Sequence, residues 1–167
     1  MTVQNIDISP ALPSDAEEIA EIYRSLIGMP GCTWDDHYPT IEFVRRDIEN
    51  GNMFKAVVGG KIAGAAYCGD YEERRVLECF EGFEKLGEFG RVGVRKEFHR
   101  TGIAQALLGS LKENAKGRGY TGIALLVGRK NDAAMALYEK LGFKRVGESD
   151  IYDTEWYCYL CKLLEDD

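Results

Sequence analysis

The stretch from Val92 to Leu108, VGVRKEFHRTGIAQALL, holds the residues of this chain best suited to chemistry. A run interrupted by Gly90 and Gly93 leads through a polar turn into a segment whose Ile103, Leu107, Leu108, Leu111 and Ala115 repeat at the spacing of one helix face. The first turn of a helix carries N–H groups with no intrahelical acceptor, and the helix dipole adds partial positive charge there. A compact anion such as a phosphate can settle on that turn without a lysine, and Gly102 and Ala104 leave the backbone open to it. A plainer reading is a glycine that eases a tight turn. The upstream glycines add a second feature. A strand they interrupt can part from its neighbour and offer N–H and C=O groups to an extended, amide-bearing ligand.

Such residues need elements to hold them. The run QNIDISPAL reads as a strand, and Ala16, Ile19, Ala20, Tyr23, Leu26 and Ile27 then recur at helical spacing, with Ser14 or Asp15 as N-cap and Gly28 and Pro30 as the stop. A loop, GCTWDDHYPT, precedes a short helix through Ile41, Val44 and Ile48 that Gly51 closes. MFKAVV and KIAGAAYC flank Gly59-Gly60, which predicts a tight hairpin. Residues 69 to 86 show no readable period. The strand-like GEFGRVGV, the helix from Thr101 to Lys116, the doubly apolar strand TGIALLVG, a helix in NDAAMALYEKLGF with Asn131 as N-cap, and two last strands, KRVGES and TEWYCYLCKLL, complete the order. That order predicts a mixed α/β sheet with helices on both faces.

Composition narrows the function. At 167 residues a single domain spanning 1–167 is expected. Twenty-eight acidic against 21 basic residues give a net charge of −7, which disfavours nucleic acid as a partner. The N-terminus MTVQNIDISP lacks an apolar signal core and no run is long enough to span a bilayer, so no membrane association and a cytoplasmic location are expected. The five cysteines lack framework spacing. Cys158 and Cys161 spell C-x-x-C, but on a strand residues three apart face opposite sides and cannot share a metal. No metal site is expected.

VGVRKEFHRTGIAQALL resembles motif A of the GCN5-related N-acetyltransferases (GNAT), Q/R-x-x-G-x-G/A after a strand, at His99, Arg100, Thr101, Gly102, Ile103 and Ala104. His99 departs from the usual Gln or Arg. NDAAMALYEKLGF resembles motif B of the same family at Asn131, Ala134, Tyr138, Gly142 and Phe143, and the likeness spans residues 86 to 147. The resemblance implies a mixed, mostly antiparallel central sheet flanked by helices, with acetyl-CoA as co-substrate. It implies that Val92, Gly93 and Val94 pair with the pantetheine arm, that residues 99 to 104 hold the pyrophosphate with Arg100 supplying charge nearby, and that Asn131 contacts the cofactor.

It also puts the Tyr138 hydroxyl near the cofactor sulfur, where a phenol of pKa about 10 is matched to protonating a thiolate. Tyr138 equally belongs to the apolar stripe of its helix, with Ala134, Leu137 and Leu141. Glu88 stands where some members carry a general base, and reads as well as a solvated strand-end glutamate. His37 is a second candidate base, and Trp34, Asp35, Asp36 and Tyr38 are candidates for the acceptor site. The acidic run Glu72, Glu73, Glu78, Glu81 and Glu84 either attracts a cationic acceptor or is a solvated face. The expected reaction is acetyl transfer to a primary amine of a small molecule or peptide, by direct attack in a ternary complex. The alternative is a non-catalytic acyl-CoA-binding or sensory module. A homodimer is common in the family.

Overall fold

In the computed structural model, which describes residues 5–71 and 83–163, the chain runs β1 (Asp7–Pro10), α1 (Ala16–Ser25), α2 (Ile41–Glu49), β2 (Met53–Val58), β3 (Lys61–Asp70), β4 (Leu86–Val94), α3 (Ile103–Gly117), β5 (Gly122–Gly128), α4 (Asp132–Lys140), β6 (Lys144–Ser149) and β7 (Trp156–Lys162). One sheet takes the order β1-β2-β3-β4-β5-β7-β6. Every neighbouring pair is antiparallel except β4 with β5. The sheet is thus mixed and mostly antiparallel, as expected.

Two layers of helices cover it. Leu107, Leu108 and Leu111 of α3 and Tyr138 of α4 pack with Phe89, Val94, Ile123 and Leu125 on one face. Ile19, Ile22 and Tyr23 of α1 and Val44 and Ile48 of α2 pack with Met53, Ile62 and Ala65 on the other. Each fully buried leucine or isoleucine here contributes roughly 1.5–3 kcal/mol. Gly59 and Gly60, at φ 58° and 78°, make the positive-φ hairpin turn that their pairing predicts.

Asp15, one of the two expected candidates, stands at the N-cap position of α1, but its side chain does not cap the helix. A short 3-10 turn, Pro13–Asp15, precedes it, and the Asp15 carboxylate reaches back to accept the Leu12 N–H at 2.8 Å while pairing with Lys55 at 2.7 Å. At the other uncertain stretch, β3 extends to Asp70 and β4 begins at Leu86. Glu72, Glu73, Glu78 and Glu81 lie outside the described residues. Cys158 joins Tyr71 and Ala124 on one face of the sheet, whereas Cys161 lies in the α3/α4 core on the other, so the C-x-x-C thiols are separated by the sheet itself. No described helix is long and apolar enough to cross a membrane.

Candidate active site

The site begins with a pairing that stops short. β4 and β5 pair only at Leu86 with Gly122, Gly87 with Ile123 and Glu88 with Ala124, and the remaining residues of each strand are unpaired with the other. A bulge in β4 follows just beyond the last paired position. Between Tyr67 opposite Gly90 and Ala65 opposite Gly93, β4 carries one residue more than β3, and Arg91 there adopts φ 45°. Phe89 and Val94 are five apart, which in a regular strand puts them on opposite faces, yet both enter the α3/α4 core because the bulge adds the missing half-period.

Beyond the bulge the backbone is aimed at the gap. The Arg95 N–H donates to the Ala63 carbonyl at 2.8 Å. Since alternate residues of an antiparallel ladder face the partner, Gly93 faces β3 and the polar groups of Val94 face the β5 side. Gly93 has a different constraint from the one the sequence suggests: a Cβ there would lie 2.8 Å from Cδ1 of Tyr23, so the glycine lets α1 pack on the strand. Val92 packs half-buried against the α3/α4 core.

The turn into α3 holds its N–H groups bare. Arg100 at φ 64° and Gly102 at φ 87° wind the loop through left-handed backbone, and no side chain caps the helix. Nothing lies within 4 Å of where a Cβ of Gly102 would stand. The N–H groups of Ile103, Ala104 and Gln105 lack intrahelical acceptors by their position in the first turn. Ile103 itself is buried, so it can serve a ligand only through its backbone. His99 is exposed, and its ring reaches back to the end of β4. Its Nε2 lies 2.7 Å from the Val94 carbonyl, an acceptor only, so that nitrogen carries the proton and the ring clamps the loop onto the strand end. Thr101 Oγ1 donates to the Phe98 carbonyl and tightens the same turn. Arg100 is exposed. A groove of about 480 Å³ lined by Gly102, Gln105, Ala106, Gly109, Ser110 and Leu141 leads away from this turn.

Tyr138, 8% exposed, lies in the same core as Val94 of β4 and Val127 of β5, the side chains of the two parting strands. Burial pushes its phenol up to about 12. Asn131 caps α4, its Oδ1 accepting the Ala134 N–H at 3.2 Å, which leaves its amide NH₂ as the group available to a ligand. Glu88 occupies the last paired position before the strands part. Leu86 and the paired Ala124 place it on the face opposite Phe89, so Glu88 and Tyr138 belong to opposite sides of the gap. The loop between α1 and α2 crosses the open end: a Cβ on Gly128 would lie 3.0 Å from Cγ2 of Thr33, and one on Gly31 3.0 Å from Cα of Asn131. Trp34 stacks edge-on against Tyr23 at 5.1 Å, and the exposed His37 donates its backbone N–H to Asp35.

The family model for the acetyltransferase (GNAT) family matches residues 18–143. This chain belongs to the GNAT family. It is an acyltransferase whose co-substrate is acetyl-CoA. An acetyltransferase of Pectobacterium atrosepticum is 32% identical over 129 residues, 74% of this chain and 82% of that protein. Human N-acetyltransferase 8 is 38% identical over 81 residues, 48% of this chain, a match that spans only 33% of the human protein. Among solved structures, a GNAT acetyltransferase of Streptococcus agalactiae superposes with a TM-score of 0.80 at 23% identity, covering 98% of each chain. The yncA protein of Salmonella typhimurium, solved with its cofactor acetyl-CoA, superposes with a TM-score of 0.77 at 19% identity, covering 98% of this chain and 97% of that one. Those two share the fold.

The residues of this GNAT protein fit such a co-substrate. Two of its strands stop pairing after three positions, a backbone N–H turns to the unpaired side, the helix start is uncapped with free space above Gly102, and a groove runs along α3. Sequence reasoning missed Arg91 and Asp47. Arg91 Nε and Nη2 donate to the two carboxylate oxygens of Asp47 at 2.6 and 3.0 Å, and Nη1 donates to the Tyr38 hydroxyl at 2.8 Å. The side chains are 11% and 3% exposed. A non-glycine residue at positive φ costs about 1–3 kcal/mol, and the bidentate pair fixes the side chain of the residue that carries this strain. Two signals were present in the chain: Phe89 and Val94 are both apolar at an odd spacing, and Asp47 interrupts the apolar stripe of Val44 and Ile48 on α2.

Proposed function

We propose that this acetyltransferase transfers the acetyl group to a primary amine, on a small molecule or a peptide, by direct attack in a ternary complex. The observation that carries the reading is the gap itself: β4 and β5 pair at three positions and then part, with the Val94 N–H turned towards β5. Acetyl-CoA, when bound, supplies a thioester whose carbonyl carbon accepts the amine. Val92 and Val94 would pair with the pantetheine amides, and the Val94 N–H would polarise the thioester carbonyl as negative charge develops on its oxygen. The N–H groups of residues 101 to 104 would seat the pyrophosphate, with Arg100 adding charge from the exposed side and His99 holding the loop closed. The Asn131 amide would donate to the same ligand.

Glu88, on the face of α1 and α2, would accept the ammonium proton directly or through a water, which frees the lone pair for attack. Tyr138, on the opposite side, would protonate the departing sulfur, and the second proton that the attacking nitrogen sheds would restore the phenol; burial keeps that phenol protonated at neutral pH but, by raising it to about 12, also makes it a weaker acid than a free tyrosine. Acid and base thus flank the acyl carbon from two sides of the sheet, with Trp34, Asp35, Asp36, His37 and Tyr38 bordering the base side. The name of the human relative, N-acetyltransferase 8, supports nitrogen as the acceptor atom.

The test is thiol release from acetyl-CoA in the presence of polyamines, aminoglycosides, amino acids and peptides. Tyr138→Phe is expected to lower kcat about 10²-fold with little change in acetyl-CoA affinity. Equal turnover by wild type and variant would remove Tyr138 as the acid. Cofactor binding without turnover on any amine would sink the proposed acceptor.

A further inference from the structure

Resting on that reading of the gap, we propose that Arg91 is a positioning residue that couples the pantetheine strand to the acceptor loop, with Asp47 and Tyr38 as its two anchors. Four parts of the fold meet at its guanidinium. Its own backbone forms the bulge of β4, next to the segment 92–94 that faces the gap. Asp47 of α2 takes it in a bidentate pair, with Nε to Oδ2 at 2.6 Å and Nη2 to Oδ1 at 3.0 Å. Asp47 is the one charged residue in the buried set among the described residues. Tyr38, on the loop between α1 and α2, accepts from the third nitrogen, Nη1, at 2.8 Å. The guanidinium also lies over the Tyr67 ring of β3, 4.6 Å from its centroid.

The loop that carries Tyr38 is held at its other end by the opposite strand, where Thr33 rests on Gly128 at the end of β5 and Gly31 on Asn131 at the start of α4. It therefore bridges the mouth of the gap, fastened to the β5 side by packing and to β4 through Arg91. An arginine suits this position as a lysine does not, because a planar fork can hold two carboxylate oxygens and a phenol at fixed angles. The arrangement also neutralises a cation on the face where an amine would enter, because the buried carboxylate matches its charge. Downstream, the phosphate-seating turn has a tie that does not pass through residues 91 to 94: the Arg95 guanidinium donates to the Ile62 carbonyl and to Glu18. Loss of Arg91 should therefore disturb the strand and spare the turn.

That difference gives the experiment. Calorimetry with coenzyme A reports on strand and turn together, and calorimetry with ADP reports on the turn alone. The double variant R91G/D47N removes both charges, leaving no orphaned ion, and places glycine where φ is positive, so that relief of backbone strain works against any loss of fold. We expect its coenzyme A affinity to fall about tenfold while its ADP affinity stays within about twofold of wild type. R91K, which keeps the charge but loses the fork, should show the same loss in smaller degree, and it carries the test should the double variant not fold. Tyr38→Phe should leave coenzyme A binding intact and raise KM for the best amine of the panel. Unchanged coenzyme A affinity in a folded variant would overturn the proposal, as would coenzyme A and ADP affinities falling in parallel, which is the mark of general loosening. Wild type that binds ADP but gains nothing from the pantetheine arm would instead remove the reading of the gap, and this inference with it.

Discussion

At the scale of single residues, the proposed mechanism divides the chemistry between two ionisable groups, and pH separates them. Glu88→Gln should lower kcat about 10²-fold and flatten the acid limb of the pH–rate profile, because the group that must be deprotonated is gone. An acid limb of unchanged position in that variant would return the role of base to His37 or to water. Tyr138 is the proposed acid at the other end. Burial raises its pKa to about 12. The unfolded chain loses that proton near pH 10, the ordinary tyrosine value, while the folded chain keeps it. The stability this group contributes is therefore whole below pH 10 and is lost as pH climbs towards 12. Thermal melts across that range should show a steeper alkaline decline for wild type than for Tyr138→Phe. Parallel curves would mean that the phenol ionises alike in both states.

At the scale of elements, the site depends on how closely α1 lies on β4. Gly93→Ala places a Cβ 2.8 Å from Tyr23 Cδ1 and 3.1 Å from Leu26 Cδ1, and both side chains are buried, so neither can swing aside. Overpacking of this kind costs about 1–3 kcal/mol. Denaturant titration should find a loss of that size, accompanied by weaker coenzyme A binding because the strand is pushed away from its register with β3. A neutral substitution would show that α1 yields without cost. The chain itself made most elements readable: the Gly59-Gly60 hairpin, the Asn131 cap and the apolar period of α3 all formed where their patterns put them. The cap of α1 did not. Asp15 has the right type and place, but a 3-10 turn intervenes and Lys55, forty positions away, takes the carboxylate.

At the scale of the whole molecule, a ligand that binds only the folded chain stabilises it by mass action. Coenzyme A at a hundred times its Kd should add about 2.7 kcal/mol. For a chain of this length that is a rise in Tm of roughly 5–10 °C, read by calorimetry or fluorescence. The sheet that would transmit this effect is continuous from β1 to β6, and its one parallel pairing, β4 with β5, is also where it opens. No rise in Tm at saturating coenzyme A would mean that the gap does not close on the ligand.

The sequence by itself determined the class of fold, the two motifs and the uncapped helix start, because these rest on local periods and on spacings within one segment. It also settled that Cys158 and Cys161 cannot meet, since the pleat of a strand puts them on opposite faces. Only the tertiary structure decided that His99 clamps the strand end, that Glu88 stands at the vertex where pairing stops, and that Arg91, on its left-handed backbone, is held by a carboxylate from α2 and a phenol from a distant loop. Each of these needs partners brought together by the fold from separate parts of the chain, and a charge or a strained angle is stable only once such partners have arrived.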